Sequence, residues 1–270
     1  MKTRLDVALF ENGLAKSREH ARALIMAGQV YADGTKAEKA GQFVAESVEL
    51  TVRGDKCPFV SRGGYKLQKA VETFPISLEG VTAADIGAST GGFTDCMLQH
   101  GARHVFAIDV GYGQLDWALR NDPRVTVMER TNARYMEPGW FGAPLDFASI
   151  DVSFISLDKI LPALISCLSG GGNVVALIKP QFEAGRNKVG KHGVVSSEET
   201  HLEVVERMIG VASTTGFCVK GLSYSPIRGP KGNIEFLIWL QKCIEPANQT
   251  AEVDHNAAVS VVHEAHETCI

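Results

Sequence analysis

One stretch constrains this chain more than any other: Asp85-Ile-Gly-Ala-Ser-Thr-Gly-Gly-Phe-Thr-Asp95. Val81 to Ala84 before it read as a short buried strand, and Phe93 to His100 after it as a helix that Gly101 closes. A strand, a glycine-rich turn and a helix in that order make a nucleotide-binding turn. The glycines let the backbone pass close to a ligand, and the new helix points free N–H groups at it. A second strand, Val105 to Asp109, ends on a carboxylate 22 residues past Gly87, where a ribose-binding acid belongs.

The turn, Gly87, Ala88, Ser89, Thr90, Gly91 and Gly92, is not G-x-G-x-x-G and lacks a G-K-[ST] ending, so it is not a P-loop. Its spacing suits a ligand without a phosphate, such as S-adenosylmethionine. The plain alternative is a strand–helix turn that binds nothing. From Val81 to Leu240 strands and helices alternate, which implies an α/β fold with a largely parallel sheet covered on both faces. Strands are expected at 81–86, 104–110, 125–129, 145–151, 173–179, 217–224 and 233–240. Helices are expected near 92–100, 114–120, 156–168 and 197–213, the third stopped by Gly170-Gly171-Gly172. An earlier helix opens at Ser61-Arg-Gly-Gly-Tyr-Lys66, with Leu67, Ala70, Val71 and Phe74 as its buried stripe. A hairpin through 225–232 makes the last strand antiparallel, so the whole is a seven-stranded Rossmann-like sheet.

Residues 1–56 read as a small α+β domain, 57–61 as a linker, 62–243 as the sheet domain and 244–270 as a disordered acidic tail. In the first domain Gly13 stops a short helix, Ser17 caps a second with His20 at its third position, and Val30-Tyr-Ala-Asp-Gly34 is a strand entering a tight turn. Arg4-Leu-Asp, then Ser17-Arg-x-x-Ala-x-x-Leu-Ile-x-x-Gly28-x-Val30, then Asp33-Gly34 resemble the S4-type RNA-binding domain. Arg4, Lys16, Arg18 and Arg22 would then lie along one side of the two helices as a phosphate-binding stripe.

The net charge of −4 comes from the tail, whose five acids have no basic partner; without them residues 1–243 carry +1. A nucleic-acid surface on this chain is therefore a local patch. No apolar run reaches the roughly 18 residues of a membrane span, and charges interrupt the N-terminus where a signal peptide would be apolar. A cytoplasmic protein with six reduced cysteines is the expectation, and a monomer the expected state. His263-Glu-Ala-His266 lacks a third ligand, so no metal is expected.

Ligands of open α/β sheets bind beyond the carboxyl ends of the parallel strands. Asp151 and Lys179 end two of those strands, and Glu235 opens the antiparallel one at the same edge. Lys66 joins them from the preceding helix. A structural ion-pair cluster is the plain alternative. As a site, two lysines and two carboxylates suit methyl transfer to a hydroxyl, which needs in-line positioning and positive charge beside an incipient alkoxide. Lys179 is the group expected to meet the hydroxyl, Lys66 and Glu235 to tune and orient it, and Asp151 to orient it and border the cofactor.

The set S61-R-G-G-Y-K66-L, D85-I-G-A-S-T-G-G-F-T-D95, A107-I-D-V-G-Y-G-Q-L115, R130-T-N-A-R134, D151-V-S-F-I-S-L157, L177-I-K-P-Q-F-E-A-G-R186 and N233-I-E-F236 resembles the TlyA family across residues 1–242. That family joins an S4-type domain to an FtsJ-like methyltransferase, and its members are often called haemolysins. The resemblance implies 2′-O-methylation of cytidine in ribosomal RNA, 16S and in many members 23S, with S-adenosylmethionine, and ribosomal subunits as partners. It implies a catalytic tetrad of Lys66, Asp151, Lys179 and Glu235 and cofactor contacts at Gly87 to Gly92, Asp109, Asn132 and Asp151. A membrane-active haemolysin would need a span, a barrel pattern or a basic amphipathic helix. A non-catalytic RNA-binding protein would have lost its cofactor, and an NAD oxidoreductase is disfavoured by the turn.

Overall fold

The computed structural model describes residues 2–26, 28–37, 39–52, 57–244 and 253–268. The chain divides into two units, Met1–Cys57 and Pro58–Ile270. The second begins before the expected linker ends. Phe59 is buried and the Val60 N–H donates to Asp95 at 2.7 Å, so residues 58–61 are packed rather than free.

The first unit runs β1 (Lys2–Arg4), α1 (Leu5–Glu11), α2 (Arg18–Met26), β2 (Val30–Ala32), β3 (Thr35–Lys36), β4 (Phe43–Ala45) and β5 (Leu50–Val52). β1 pairs antiparallel with β4, and β2 lies between β3 and β5. Leu5, Leu9, Ala21, Ile25 and Val30 close the core between the helices and the strands. The Ser17 hydroxyl accepts the His20 N–H at 3.1 Å as expected of a cap. The His20 ring accepts the Lys16 N–H at 3.1 Å, one residue before the cap, so the second bond of a capping box is replaced by one to the preceding amide.

The second unit runs α3 (Gly64–Thr73), β6 (Thr82–Ile86), α4 (Gly92–Gln99), β7 (His104–Ile108), α5 (Trp117–Arg120), β8 (Val125–Met128), β9 (Leu145–Ile150), α6 (Leu161–Cys167), β10 (Leu168–Ile178), α7 (Pro180–Glu183), α8 (Glu198–Thr215), β11 (Phe217–Tyr224), β12 (Phe236–Lys242) and α9 (His255–Thr268). Its seven strands stand in the order β11-β12-β10-β9-β6-β7-β8, parallel except for β12. β6 has β7 on one side and β9 on the other. The chain therefore reverses its direction of travel beside β6 and leaves a crevice at the carboxyl edge. The β-branched and aliphatic runs of β9, β10 and β12 are buried on both faces, as in a sheet covered by two helical layers.

Three further expectations fail. α6 ends at Cys167 and the three glycines enter β10, where the pairing with β9 shifts register between Leu168 and Asn173; glycine here makes a bulge, not a helix stop. Cys218 and Cys243 are not both free thiols but joined in a disulfide, since the β11–β12 hairpin brings their Cα atoms to 5.6 Å. Most of the acidic tail is ordered. Residues 255–268 form α9, whose Ala258, Val262 and Ala265 are buried in the same core as α8 and the sheet; residues 245–252 and 269–270 lie outside the described residues. The small side chains hid this face, because alanine scores weakly as an apolar stripe. Among the described residues no helix is long and apolar enough to cross a membrane.

Candidate active site

The crevice at the carboxyl edge holds two adjoining cavities of about 240 and 430 Å³, which share Gly87, Ser89, Asp151 and Ser153 in their walls. Both exist because of the turn after β6. Gly87 has φ +87°, and a Cβ there would stand 2.6 Å from the Asp151 carbonyl oxygen, so no other residue fits without moving the next strand. Gly92 is pressed in the same way on the Ser61-Arg-Gly-Gly stretch: a Cβ would meet Ser61 Oγ at 2.4 Å and the Gly64 nitrogen at 2.8 Å. The two glycine-rich stretches, read separately in the sequence, are therefore one packing unit that brings α3 beside α4.

Asp85 lies fully buried beneath the turn. It accepts the Thr94 N–H at 2.8 Å, the Thr94 hydroxyl at 2.7 Å and the Ser149 hydroxyl at 3.2 Å. Burial pushes its carboxyl up to about 7, against the pull of those donors and with the Asp151 charge adding to the rise.

The smaller cavity carries Lys66, Asp151 and Lys179. Asp151 follows β9 and Lys179 follows β10, each one residue past the strand end, and Lys66 sits on the first turn of α3. Lys66 Nζ donates to Glu235 Oε2 at 2.7 Å and to Asp151 Oδ2 at 3.4 Å. Lys179 Nζ pairs with Asp151 Oδ1 and donates to Ser153 Oγ at 3.2 Å. Asp151 thus stands between the two ammonium groups. Glu235 is fully buried behind Lys66 and lines neither cavity. Burial pulls the Lys66 amine down, but Asp151 and Glu235 more than offset that and hold it above the ordinary lysine range.

The larger cavity has Asp109 and Asn132 in its wall, with Val110, Phe154 and Ile160 as apolar lining. Asp109 Oδ2 accepts the Ser89 N–H at 2.8 Å and Oδ1 the Gly111 N–H at 2.6 Å, so the carboxylate ties its own loop to the turn and still has lone pairs to offer. Asn132 Oδ1 accepts the Arg134 N–H at 3.1 Å, which holds its side chain in the cavity wall. Ala88, Ser89, Thr90 and Gly92 line one cavity or the other. Gly91 does not; its φ of +95° starts α4. The site fits a cofactor of sulfonium-nucleoside shape: a cradle closed to any side chain, an acid and an amide in the nucleoside cavity, and cations at the far end.

Sequence reasoning missed the supporting residues. α7 is four residues long, and three of them serve the site. Gln181 Nε2 reaches Glu235 at 3.4 Å, and the Phe182 ring lies 4.9 Å from that of Phe154. Glu183 accepts the Ser156 hydroxyl at 2.6 Å, the Leu157 N–H at 2.9 Å and Arg207 at 2.5 Å. Glu183 thereby fixes the loop after β9, on which Phe154 stands 90% exposed at φ +64°. A strained, exposed aromatic in the cavity wall, next in sequence to the Ser153 that Lys179 bonds, is a functional signal that only the backbone shows.

The FtsJ-like methyltransferase model matches residues 59–242, and the S4 domain model residues 3–50. The chain belongs to the FtsJ-like methyltransferase family. A Bacillus subtilis protein provisionally named rRNA methyltransferase YqxC is 51% identical over 99% of this chain and 95% of its own. The Mycobacterium tuberculosis 16S/23S rRNA (cytidine-2′-O)-methyltransferase TlyA is 46% identical, over 89% of this chain and 90% of its own. A solved Streptococcus thermophilus structure, provisionally called a hemolysin, superposes with a TM-score of 0.78 at 48% identity, covering 99% of this chain and 96% of that one. This FtsJ-like chain is therefore an enzyme by family, of the group whose relatives carry the TlyA name.

Proposed function

We propose that this methyltransferase moves a methyl group from S-adenosylmethionine to the 2′-hydroxyl of a cytidine in 16S or 23S ribosomal RNA, with ribosomal subunits as its substrate in the cytoplasm. The observation that carries it is the Lys66–Asp151–Lys179 cluster, backed by Glu235, at the mouth of the cavity that Gly87 opens. The bound cofactor supplies an electrophilic methyl on a sulfonium sulfur. Lys179 Nζ, as an ammonium, meets the 2′ oxygen and stabilises its growing charge, while the hydroxyl proton passes to the Asp151 carboxylate as the oxygen–methyl bond forms and the methyl–sulfur bond breaks. Asp151 aims Lys179, and Lys66, anchored on Glu235, keeps Asp151 in place. Asp109 takes the cofactor's ribose hydroxyls and Asn132 its adenine edge. Phe154 offers its exposed ring to the target base. Arg4, Lys16, Arg18 and Arg22 take RNA phosphates. No step calls for a metal, and the chain acts as a monomer.

The test uses methyl-labelled S-adenosylmethionine and ribosomal subunits from cells lacking the protein. Lys179→Ala keeps cofactor binding by calorimetry and loses transfer. Asp109→Ala weakens cofactor binding. A Lys179→Ala enzyme that methylates at the normal rate overturns the assignment.

A further inference from the structure

The expected four-residue stripe in the first unit resolves into three arginines that share one acid. Asp6 is fully buried at the second position of α1. Arg4 Nε donates to its Oδ1 at 2.9 Å and Arg4 Nη2 to its Oδ2 at 3.2 Å. The same Oδ2 receives Arg22 Nε at 3.1 Å and Arg18 Nη2 at 3.4 Å. Arg18 and Arg22 are one turn apart on α2, so one face presents both. Lys16 is exposed and has no such tie to Asp6 among the described contacts.

The three side chains remain 41 to 47% exposed although their inner N–H groups point at a carboxylate with no exposure at all. Hydrogen bonding from Arg4, against the opposing effect of burial, and then from Arg22 and Arg18 holds Asp6 far below the ordinary carboxylate range, so it stays an anion. Three cations around one anion leave a local excess of two positive charges. Three guanidiniums that converge on one carboxylate repel each other, and a second anion on the open side relieves that repulsion. Their outer N–H groups are planar forks of the spacing that phosphate oxygens accept in pairs.

We infer that Asp6 assembles Arg4, Arg18 and Arg22 into a single phosphodiester cradle, in which the buried carboxylate is the positioning residue that aims three guanidiniums at an RNA backbone. This rests on the proposal that the chain binds ribosomal RNA. The competing possibility is a structural ion pair in which the arginines only neutralise a buried acid. The two differ in sign. Asp6→Asn raises the net charge by one, so charge alone strengthens RNA binding. Asparagine offers one acceptor oxygen where three arginines need two, so a cradle that depends on aim weakens.

The experiment measures equilibrium binding of the full chain to purified 30S and 50S subunits across a salt series. Asp6→Asn is expected to bind several-fold more weakly, on the order of 10-fold, despite its added charge. Arg18→Lys and Arg22→Lys keep the charge and lose the fork. Each is expected to bind a few-fold more weakly with an unchanged slope of log affinity against log salt. Both sites are about half exposed, so these variants decide the matter even if Asp6→Asn fails to fold. Asp6→Asn binding as tightly as wild type or tighter, or lysine variants indistinguishable from wild type, overturns the cradle. So does a wild-type chain that binds neither subunit. A wild type that binds but does not methylate sinks the proposed reaction alone, and one that methylates while all three variants bind normally sinks the cradle alone.

Discussion

Replacing Lys66 by methionine tests the cluster's electrostatics, because methionine keeps the unbranched apolar stem to within one atom and removes the charge. Glu235 is fully buried and draws on Lys66 Nζ at 2.7 Å and, more weakly, on Gln181 Nε2 at 3.4 Å. Breaking a buried pair by deleting one partner costs about 3–5 kcal/mol, since the other charge is left without compensation. The Gln181 amide offsets about 1 kcal/mol of that at most. A loss of about 3 kcal/mol at pH 7 follows. With a urea dependence of about 2–3 kcal/mol per molar, the midpoint falls by about 1 M. Trp117, Trp140 and Trp239, the chain's three tryptophans, all lie in the second unit, so intrinsic fluorescence reports its unfolding selectively. Adding Glu235→Gln to Lys66→Met is expected to restore most of the loss, because the stranded charge is gone. A Lys66→Met cost below about 1 kcal/mol, or no recovery in the double variant, refutes the reasoning.

Gly87→Ala puts a Cβ 2.6 Å from the Asp151 carbonyl in a left-handed backbone, a strain of about 1–3 kcal/mol, and calorimetry should show at least a 10-fold loss of S-adenosylmethionine affinity. The His201 ring, desolvated and facing His266 at 2.8 Å, is pushed down to about 4, so the unfolded chain binds its proton first. Its contribution is complete above the unfolded value of 6.5 and lost as pH falls toward 4, about 2 kcal/mol between pH 7 and pH 5. Asp85 acts with the opposite sign. Its raised carboxyl costs stability as pH rises from about 4 to 7, so the readout is wild type against His201→Gln at both pH values, with the variant relatively better at pH 5. Val262→Ala removes buried volume from α9 and should cost about 2 kcal/mol, with faster amide exchange across 255–268; a disordered tail would show neither.

The parts of this molecule that follow a period were legible in its sequence. The alternation from Val81 onward states a parallel sheet, and Asp151, Lys179 and Glu235 stand at strand ends because a charge inside those apolar runs is costly to bury. The failures have physical causes of a different kind. α9 buries alanine and valine, whose spacing carries little apolar contrast. The Gly170–Gly172 run reads as a break until β9 and β10 reveal a bulge. The burial of Lys66 has no local signal in α3, because the carboxylates that account for it, Asp151 and Glu235, arrive from 85 and 169 residues away. Asp6 and Glu183 look like ordinary acids on short helices. Their work is to organise residues that the linear order separates, and no local pattern encodes that.

The central claim is that the lysine–carboxylate cluster methylates ribose, and a map of 2′-O-methylated cytidines in ribosomal RNA tests it most directly. RNA would be compared from cells with the wild-type chain, with no chain, and with Lys179→Ala. The expected result is one or more cytidine marks in 16S or 23S RNA that are present only with the wild type. Identical maps from all three strains, or marks that persist with Lys179→Ala, contradict it.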